Sequence, residues 1–233
     1  MERLDKILSE RTSFSRKDAK KLISSGKVSV NGKAVTSPEY KADESDEITV
    51  DGKTISGNEH AYIVLNKPAG YISATEDPNQ ETVLKLIPES LFRKGLFPAG
   101  RLDKDTTGLM IITDDGDFAH RILAPRKHVP KSYAVTLDIP VTSEMQSGFE
   151  SGIKLSDGIC KPSKLTITGE NTCKVVLSEG RYHQIKRMFG CYGAKVIGLH
   201  RLSMGGFYLP DDLLPGECRE LTKEEILLIE KGE

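Results

Sequence analysis

Gly100-Arg101-Leu102-Asp103-Lys104-Asp105-Thr106-Thr107-Gly108-Leu109 is the stretch on which the reading of this chain turns. Two glycines flank a turn rich in Asp and Thr, and the apolar run at 109–113 reads as a strand. A loop of this kind holds a carboxylate against a ligand through backbone N–H groups and hydroxyls. Asp and Thr also make turns by bonding their own backbone, so the pattern alone leaves Asp103 open between the two uses. The spacing of Asp103 and Asp105 would also suit the carboxylate pair of a glycosidase. Composition argues against that use, because sugar platforms rely on aromatic rings and the chain has no Trp and only 6% aromatics.

Outward from this loop, the apolar patterning predicts further strands at residues 62–65, 133–137, 165–168, 173–177 and 196–199. A helix is expected over 118–123, after Thr113-Asp114-Asp115-Gly116, and another from near Ser143. A third is expected over 182–192 with Gly193 as its stop, and a last one from Thr222, where Glu225 completes a capping box. The strands are mostly not joined by regular helical crossovers. The expected class is therefore α+β, with a mixed, mostly antiparallel sheet.

Residues 1–58 read as a separate small unit preceding a larger domain at 59–233. Leu4, Ile7 and Leu8 have helical spacing. Ser15 caps a second helix, with Asp18 giving an imperfect capping box, and this helix sets Arg16, Lys17, Lys20 and Lys21 beside apolar Ala19, Leu22 and Ile23. Gly26 is placed to end it. Asn31-Gly32 and Asp51-Gly52 are tight hairpin signals, and Ser56-Gly57-Asn58-Glu59 reads as a linker.

The 233 residues are 37% apolar, enough for a proper core, and carry a net charge of -1. That near-neutral total hides three basic blocks. Residues 1–33 hold nine Lys or Arg against four Asp or Glu; residues 118–137 and 180–210 hold bases and no acid; the tail 211–233 has eight acids against three bases. Basic blocks interleaved with Tyr and His suggest a polyanionic partner, although any one of them alone also fits a solvated face. No stretch approaches the roughly 20 apolar residues of a membrane helix. Met1–Lys6 is charged, without an apolar signal core, so a cytoplasmic protein is expected. Cys160, Cys173, Cys191 and Cys218 are scattered and form no C-x-x-C pair, which predicts reduced, partly buried thiols and neither a metal site nor a redox motif.

The run Gly100–Leu109 followed by Thr113-Asp114-Asp115-Gly116 resembles the signature loop of the A-type pseudouridine synthases that act on the small ribosomal subunit. Three other segments agree in order: Asn66-Lys67-Pro68-Ala69-Gly70-Tyr71, Pro125-Arg126 through Lys131-Ser132-Tyr133, and Glu179-Gly180-Arg181-Tyr182-His183-Gln184-Ile185-Lys186-Arg187-Met188. Residues 1–58 resemble the RNA-binding module of ribosomal protein S-four type that precedes the catalytic domain in this subfamily. The resemblance covers nearly the whole chain, and four long motifs in order are specific.

What the resemblance implies is the pseudouridine synthase fold and a cofactor-free isomerisation of a uridine in small-subunit (16S) ribosomal RNA, by a monomer. The N1–C1′ bond breaks, the base turns over, and C5 bonds to C1′. Asp103 matches the essential aspartate, acting as a nucleophile at C1′ or as a base on the ribose. Tyr133 matches the tyrosine that stacks on the target base. Lys186 matches the cation beside the aspartate, which keeps a carboxylate ionised in a low-dielectric pocket. Asp105 has no matching role and reads as structural. Arg101 is the candidate to fill the gap left by the extruded base. Lys67, Pro68, Leu102 and Ile185 are expected in the pocket wall. Arg16, Lys17, Lys20, Lys21, Arg126, Arg181 and Arg187 are expected on RNA phosphates. His183, with no Cys or His partner at metal spacing, reads as structural. Two other readings fit parts of the chain: a sibling synthase of large-subunit ribosomal RNA, and a non-catalytic RNA-binding assembly factor. An intact Asp103, Tyr133 and Lys186 set argues against the second.

Overall fold

In the computed structural model, described for residues 1–43, 45–55, 60–124 and 129–231, the apolar core of the first 55 residues is separate from the core behind it. The expected linker at 56–59 lies outside the described residues.

Helices α1 (Leu4–Arg11) and α2 (Arg16–Ser24) pack Leu4, Leu8, Ala19 and Ile23 against a four-stranded sheet. The Ser15 hydroxyl accepts the Asp18 N–H at 3.2 Å but turns its own proton to the Asp18 carboxylate at 2.5 Å, so the capping box is half made. Strands β1 (Val28–Val30), β2 (Lys33–Val35), β3 (Ile48–Val50) and β4 (Lys53–Ile55) run antiparallel in the order β2-β1-β3-β4. Both expected hairpin turns form, with φ of 51° and 75° at Asn31 and Gly32 and 48° and 78° at Asp51 and Gly52, the left-handed pair that matches strand twist.

The larger unit is built on β5 (Tyr62–Lys67), β6 (Thr107–Thr113), β7 (Lys131–Leu137), β8 (Lys164–Ile167), β9 (Thr172–Leu177), β10 (Val196–Met204) and β11 (Cys218–Glu220). Their order across the sheet is β8-β9-β7-β10-β6-β5-β11, with Phe97–Pro98 added on β6 and Phe207–Tyr208 on β10. Every pair is antiparallel except β10 with β6, which run parallel where His200 meets Thr107 and Arg201 meets Gly108. The expected α+β class with a mixed, mostly antiparallel sheet is what the chain forms.

The unbroken apolar run of β6 is explained by burial on both faces. Met110 and Ile112 enter one core with Met145 and Phe149 of α4 (Ser143–Ser151) and Met188 and Phe189 of α5 (Gln184–Gly190). Leu109 and Ile111 enter a second core with Phe118 and Ile122 of α3 (Gly116–Leu123) and Ile229 of α6 (Lys223–Glu230). Each such side chain contributes about 1.5–3 kcal/mol of burial. Asp114 and Asp115 secure the exit of β6. Asp114 accepts the Ala61 N–H at 2.7 Å, and Asp115 caps α3 through the Phe118 N–H at 2.8 Å while accepting the Tyr62 hydroxyl at 2.7 Å.

Two sequence expectations need correction. The strand expected at 196–199 runs to Met204, because the polar residues in its second half pair within the sheet. The helix expected over 182–192 spans only Gln184–Gly190, because His183 takes a left-handed φ of 49° that no helix continues through. The last helix carries both halves of its Thr222–Glu225 capping box, as expected. All four thiols are free; Cys160 and Cys173 are buried, Cys218 is half-buried and Cys191 is exposed. Among the described residues no helix is long and apolar enough to cross a membrane.

Candidate active site

The loop at 100–108 is held from behind by groups distant in sequence. Lys67, at the end of β5, is fully buried, and its ammonium donates to the carbonyls of Pro68, Asp103, Lys104 and Thr106 at 2.7–3.2 Å. Three N–H bonds serve four acceptors, so one is shared. Burial pulls the Lys67 ammonium down to about 8, against the opposing pull of Asp105 and Asp103. The Ser73 hydroxyl donates to the Leu102 carbonyl at 2.8 Å and accepts the Leu102 N–H at 2.9 Å. Gly108 closes the loop at φ 100°. A Cβ there would lie 2.3 Å from the Arg201 carbonyl oxygen, so the parallel approach of β10 to β6 needs glycine.

Asp103 faces an open cleft of about 430 Å³. Its Oδ2 lies 3.1 Å from Nζ of Lys186 on α5, and its Oδ1 lies 3.3 Å from Nε2 of His183. The left-handed backbone at His183 and its ring stacked on Tyr182, with centroids 3.8 Å apart, fix that imidazole. Lys186 also donates to Asp105 Oδ1 at 2.6 Å, a shorter contact than the one to Asp103. Burial pulls the Lys186 ammonium down, but hydrogen bonds to Asp105 and Asp103 outweigh it and raise the pKa. The same Lys186 hydrogen bond holds the Asp105 carboxyl below its ordinary range.

Tyr133 on β7 lines this cleft, as do Leu102, Ile185 and Arg101. Lys67 and Pro68, expected in the wall, do not line it; Lys67 lies behind the loop and grips its carbonyls. Two cations to which the motifs gave no role, Lys131 and Arg201, also line it. Arg201, 1% exposed, stands opposite Tyr133 in the β10–β7 register and donates from Nε to the Leu109 carbonyl at 2.5 Å. Its Nη2 has no partner among the described residues. Burial lowers the pKa of the guanidinium, while charge and hydrogen-bond interactions with Tyr133 oppose that fall. Lys131 donates to the Val129 carbonyl at 3.1 Å, and burial together with repulsion from Arg201 brings it down to about 8. The absence of acids across residues 118–137 and 180–210 was the signal available in the sequence.

The remaining expected contacts divide. Arg181 lines the cleft but is tied to the Ile159 carbonyl at 2.6 Å and to Glu179 at 3.4 Å. Arg187 does not line it; it pairs with Asp157 at 2.5 and 3.0 Å and bonds the Ser156 hydroxyl. On α2, Lys17 and Lys21 are exposed, whereas Arg16 and Lys20 reach 3.3 and 3.9 Å from the buried Asp5. Arg126 lies outside the described residues.

The cleft can thus hold a carboxylate beside a lysine and an aromatic ring, with two further cations in its lining and the loop backbone pinned. Comparison with known proteins gives the family. Residues 61–190 match the family model for RNA pseudouridylate synthase, and residues 2–48 match the S4 domain. An uncharacterised RNA pseudouridine synthase of Bacillus subtilis is 42% identical over 233 residues, covering 97% of this chain and 98% of the relative. Ribosomal small subunit pseudouridine synthase A of Escherichia coli is 42% identical over 228 residues, covering 96% and 98%. A crystal structure of a pseudouridylate synthase superposes with a TM-score of 0.68 at 38% identity, over 98% of this chain and all of that one. Family model, full-length relatives and fold coincide on the domain that carries the cleft: this chain belongs to the RNA pseudouridylate synthase family, with an S4 domain at its N-terminus.

Proposed function

We propose that this synthase isomerises a specific uridine of small-subunit (16S) ribosomal RNA, with Asp103 as its reacting carboxylate. The observation that carries the role of Asp103 is its placement, 3.1 Å from the Lys186 ammonium in a cleft that Tyr133 also lines. The uridine leaves its helix, stacks on Tyr133 and presents C1′ to Asp103, which attacks that carbon or takes a ribose proton. Arg101, at the cleft edge, fills the gap in the RNA and offsets part of the few kcal/mol that extrusion costs. Lys17 and Lys21 on the exposed side of α2, with Arg126, hold phosphates.

Action as a monomer is part of this reading. The choice of 16S RNA as substrate rests on the name of the Escherichia coli relative and on the motif set from Gly100 to Arg187. A ribosomal RNA substrate supports a cytoplasmic location. The test is a map of pseudouridine in ribosomal RNA from cells with and without this protein. One 16S site is expected to vanish with the gene and return with the wild-type chain. Loss of a large-subunit site instead would reassign the substrate, and an unchanged map would remove the proposal.

A further inference from the structure

Lys131 and Arg201 are cations that the Asp103–Lys186 arrangement does not use. Both line the cleft, Lys131 two residues before Tyr133 on β7 and Arg201 opposite Tyr133 on β10. Neither has a carboxylate partner among the described residues. Lys131 bonds a backbone carbonyl; Arg201 bonds one through Nε and interacts with the neutral Tyr133 hydroxyl, while Nη2 is left unpaired. Elsewhere in the molecule, buried charges are met. Lys67 is surrounded by four carbonyls, and Asp5 by Arg3, Arg16 and Lys20. Uncompensated charge in a low-dielectric site is strongly unfavourable. Two neighbouring cations without an anion on one wall of a reaction cleft therefore call for an anion that arrives during the reaction.

The chemistry supplies one. When N1–C1′ breaks, the bonding electron pair stays on N1, and the base leaves as a uracil monoanion with its charge spread over N1, O2 and O4. If Asp103 attacks C1′, its carboxylate becomes a neutral ribosyl ester. If it takes the ribose proton, it becomes a neutral acid. On either route one negative charge disappears beside Lys186 and appears on the base against the Tyr133 wall. When C5 then bonds to C1′, the charge returns to Asp103, which leaves the ester as a carboxylate or gives its proton back to the ribose carbon it came from; C5 later loses its proton and N1 gains one, so the product is an isomer. We infer that Lys131 and Arg201 form the anion site that receives the detached uracil, binding its charged oxygens while it turns over. This rests on the isomerase reading above and adds two catalytic residues to it. This charge grows as N1–C1′ breaks and is absent from the bound uridine, so stabilising it lowers the barrier, raises kcat and leaves affinity for the uridine-containing RNA nearly unchanged.

The test uses the full chain with a 16S ribosomal RNA transcript, measuring single-turnover pseudouridine formation and RNA affinity separately. Lys131→Met and Arg201→Met are each expected to slow the chemical step by about a hundredfold, with RNA affinity within about threefold, the size of a weak contact. Lys131→Arg, which keeps a charge, is expected to recover most of the loss. Because Arg201 is buried, the melting midpoint of each variant is measured alongside. Lys131→Met keeps the inference testable if Arg201→Met does not fold. A Lys131→Met rate within twofold of wild type would overturn the inference. So would an equal fall in affinity and rate, which would make these residues phosphate contacts. A wild-type chain that forms no pseudouridine on any ribosomal RNA would overturn the isomerase reading and this inference with it.

Discussion

Asp5 and Asp103 both sit among cations, and they differ in what is left open. Asp5 in the N-terminal unit has a fully buried side chain met by Arg3 at 3.0 Å, Arg16 at 3.3 Å and Lys20 at 3.9 Å. Asp103 in the larger unit meets Lys186 and His183 at similar distances, yet a quarter of its side chain remains exposed to the cleft. At Asp5 the chain provides every partner, and the result is a fixed joint between α1 and α2. At Asp103 it provides partners on one side only. Charge pairing alone therefore does not mark a reactive group; pairing with one face left for a substrate does.

The largest effect expected from this contrast is on Asp103→Asn. The amide keeps the shape and loses the charge, so isomerisation should fall by at least about a thousandfold, while RNA affinity stays within a few-fold and the melting midpoint hardly moves. Radiometric pseudouridine assays, filter binding and thermal melts read the three. Next is Lys186→Met, which leaves Asp103 without its ammonium; turnover should drop by about a hundredfold and RNA affinity far less. Equal losses in both would make Lys186 a phosphate contact.

Asp5→Asn should show the reverse profile. Loss of its charged hydrogen bonds is expected to cost about 2 kcal/mol of stability, with kcat unchanged at saturating RNA. The pH dependence has a definite sign. Hydrogen bonds from Arg3, with help from Arg16, hold the Asp5 carboxyl below its ordinary 3.8 against the opposing effect of burial. Its stabilisation is present above the unfolded value and is lost as pH falls through the lower folded value. Melts between pH 7 and pH 2.5 should show a smaller acid loss for Asp5→Asn than for wild type.

The smallest effect concerns α2. With Lys17, Lys21 and Arg126 each on a phosphate, log affinity should fall with log salt at a slope of roughly -2. Replacing Lys17 and Lys21 by Ala should make the slope shallower by about 1.4, at roughly 0.7 per contact. Arg16→Ala should act more on stability than on the slope, because Arg16 already serves Asp5. A flat salt response in the wild type would remove the electrostatic role of this helix.

Legibility in the sequence followed how local each feature is. Hairpin turns at Asn31-Gly32 and Asp51-Gly52, the caps at Ser15 and Thr222, and the alternating strands are written in adjacent residues, and they formed. Asp103, Tyr133 and Lys186 were legible because each lies in a contiguous motif, and all three line one cleft. Features that depend on register were not. The grip of Lys67 on the Asp103 carbonyl spans 36 residues of sequence. Arg201 reaches Tyr133 only through the pairing of β10 with β7. His183 read as a bland residue, since nothing in its neighbours foretells a left-handed backbone that turns its ring to Asp103. Asp105 read as structural, yet it takes the shorter of the two Lys186 contacts.

That last point sets the decisive comparison, because Lys186 is shared by two carboxylates and only one of them is assigned the chemistry. Single-turnover pseudouridine formation by Asp103→Asn and Asp105→Asn, side by side on the same transcript, tests the assignment directly. No product from Asp103→Asn and a rate within about tenfold of wild type from Asp105→Asn, the size of an indirect electrostatic effect, is the predicted result. Activity retained in Asp103→Asn, or lost only in Asp105→Asn, would contradict it.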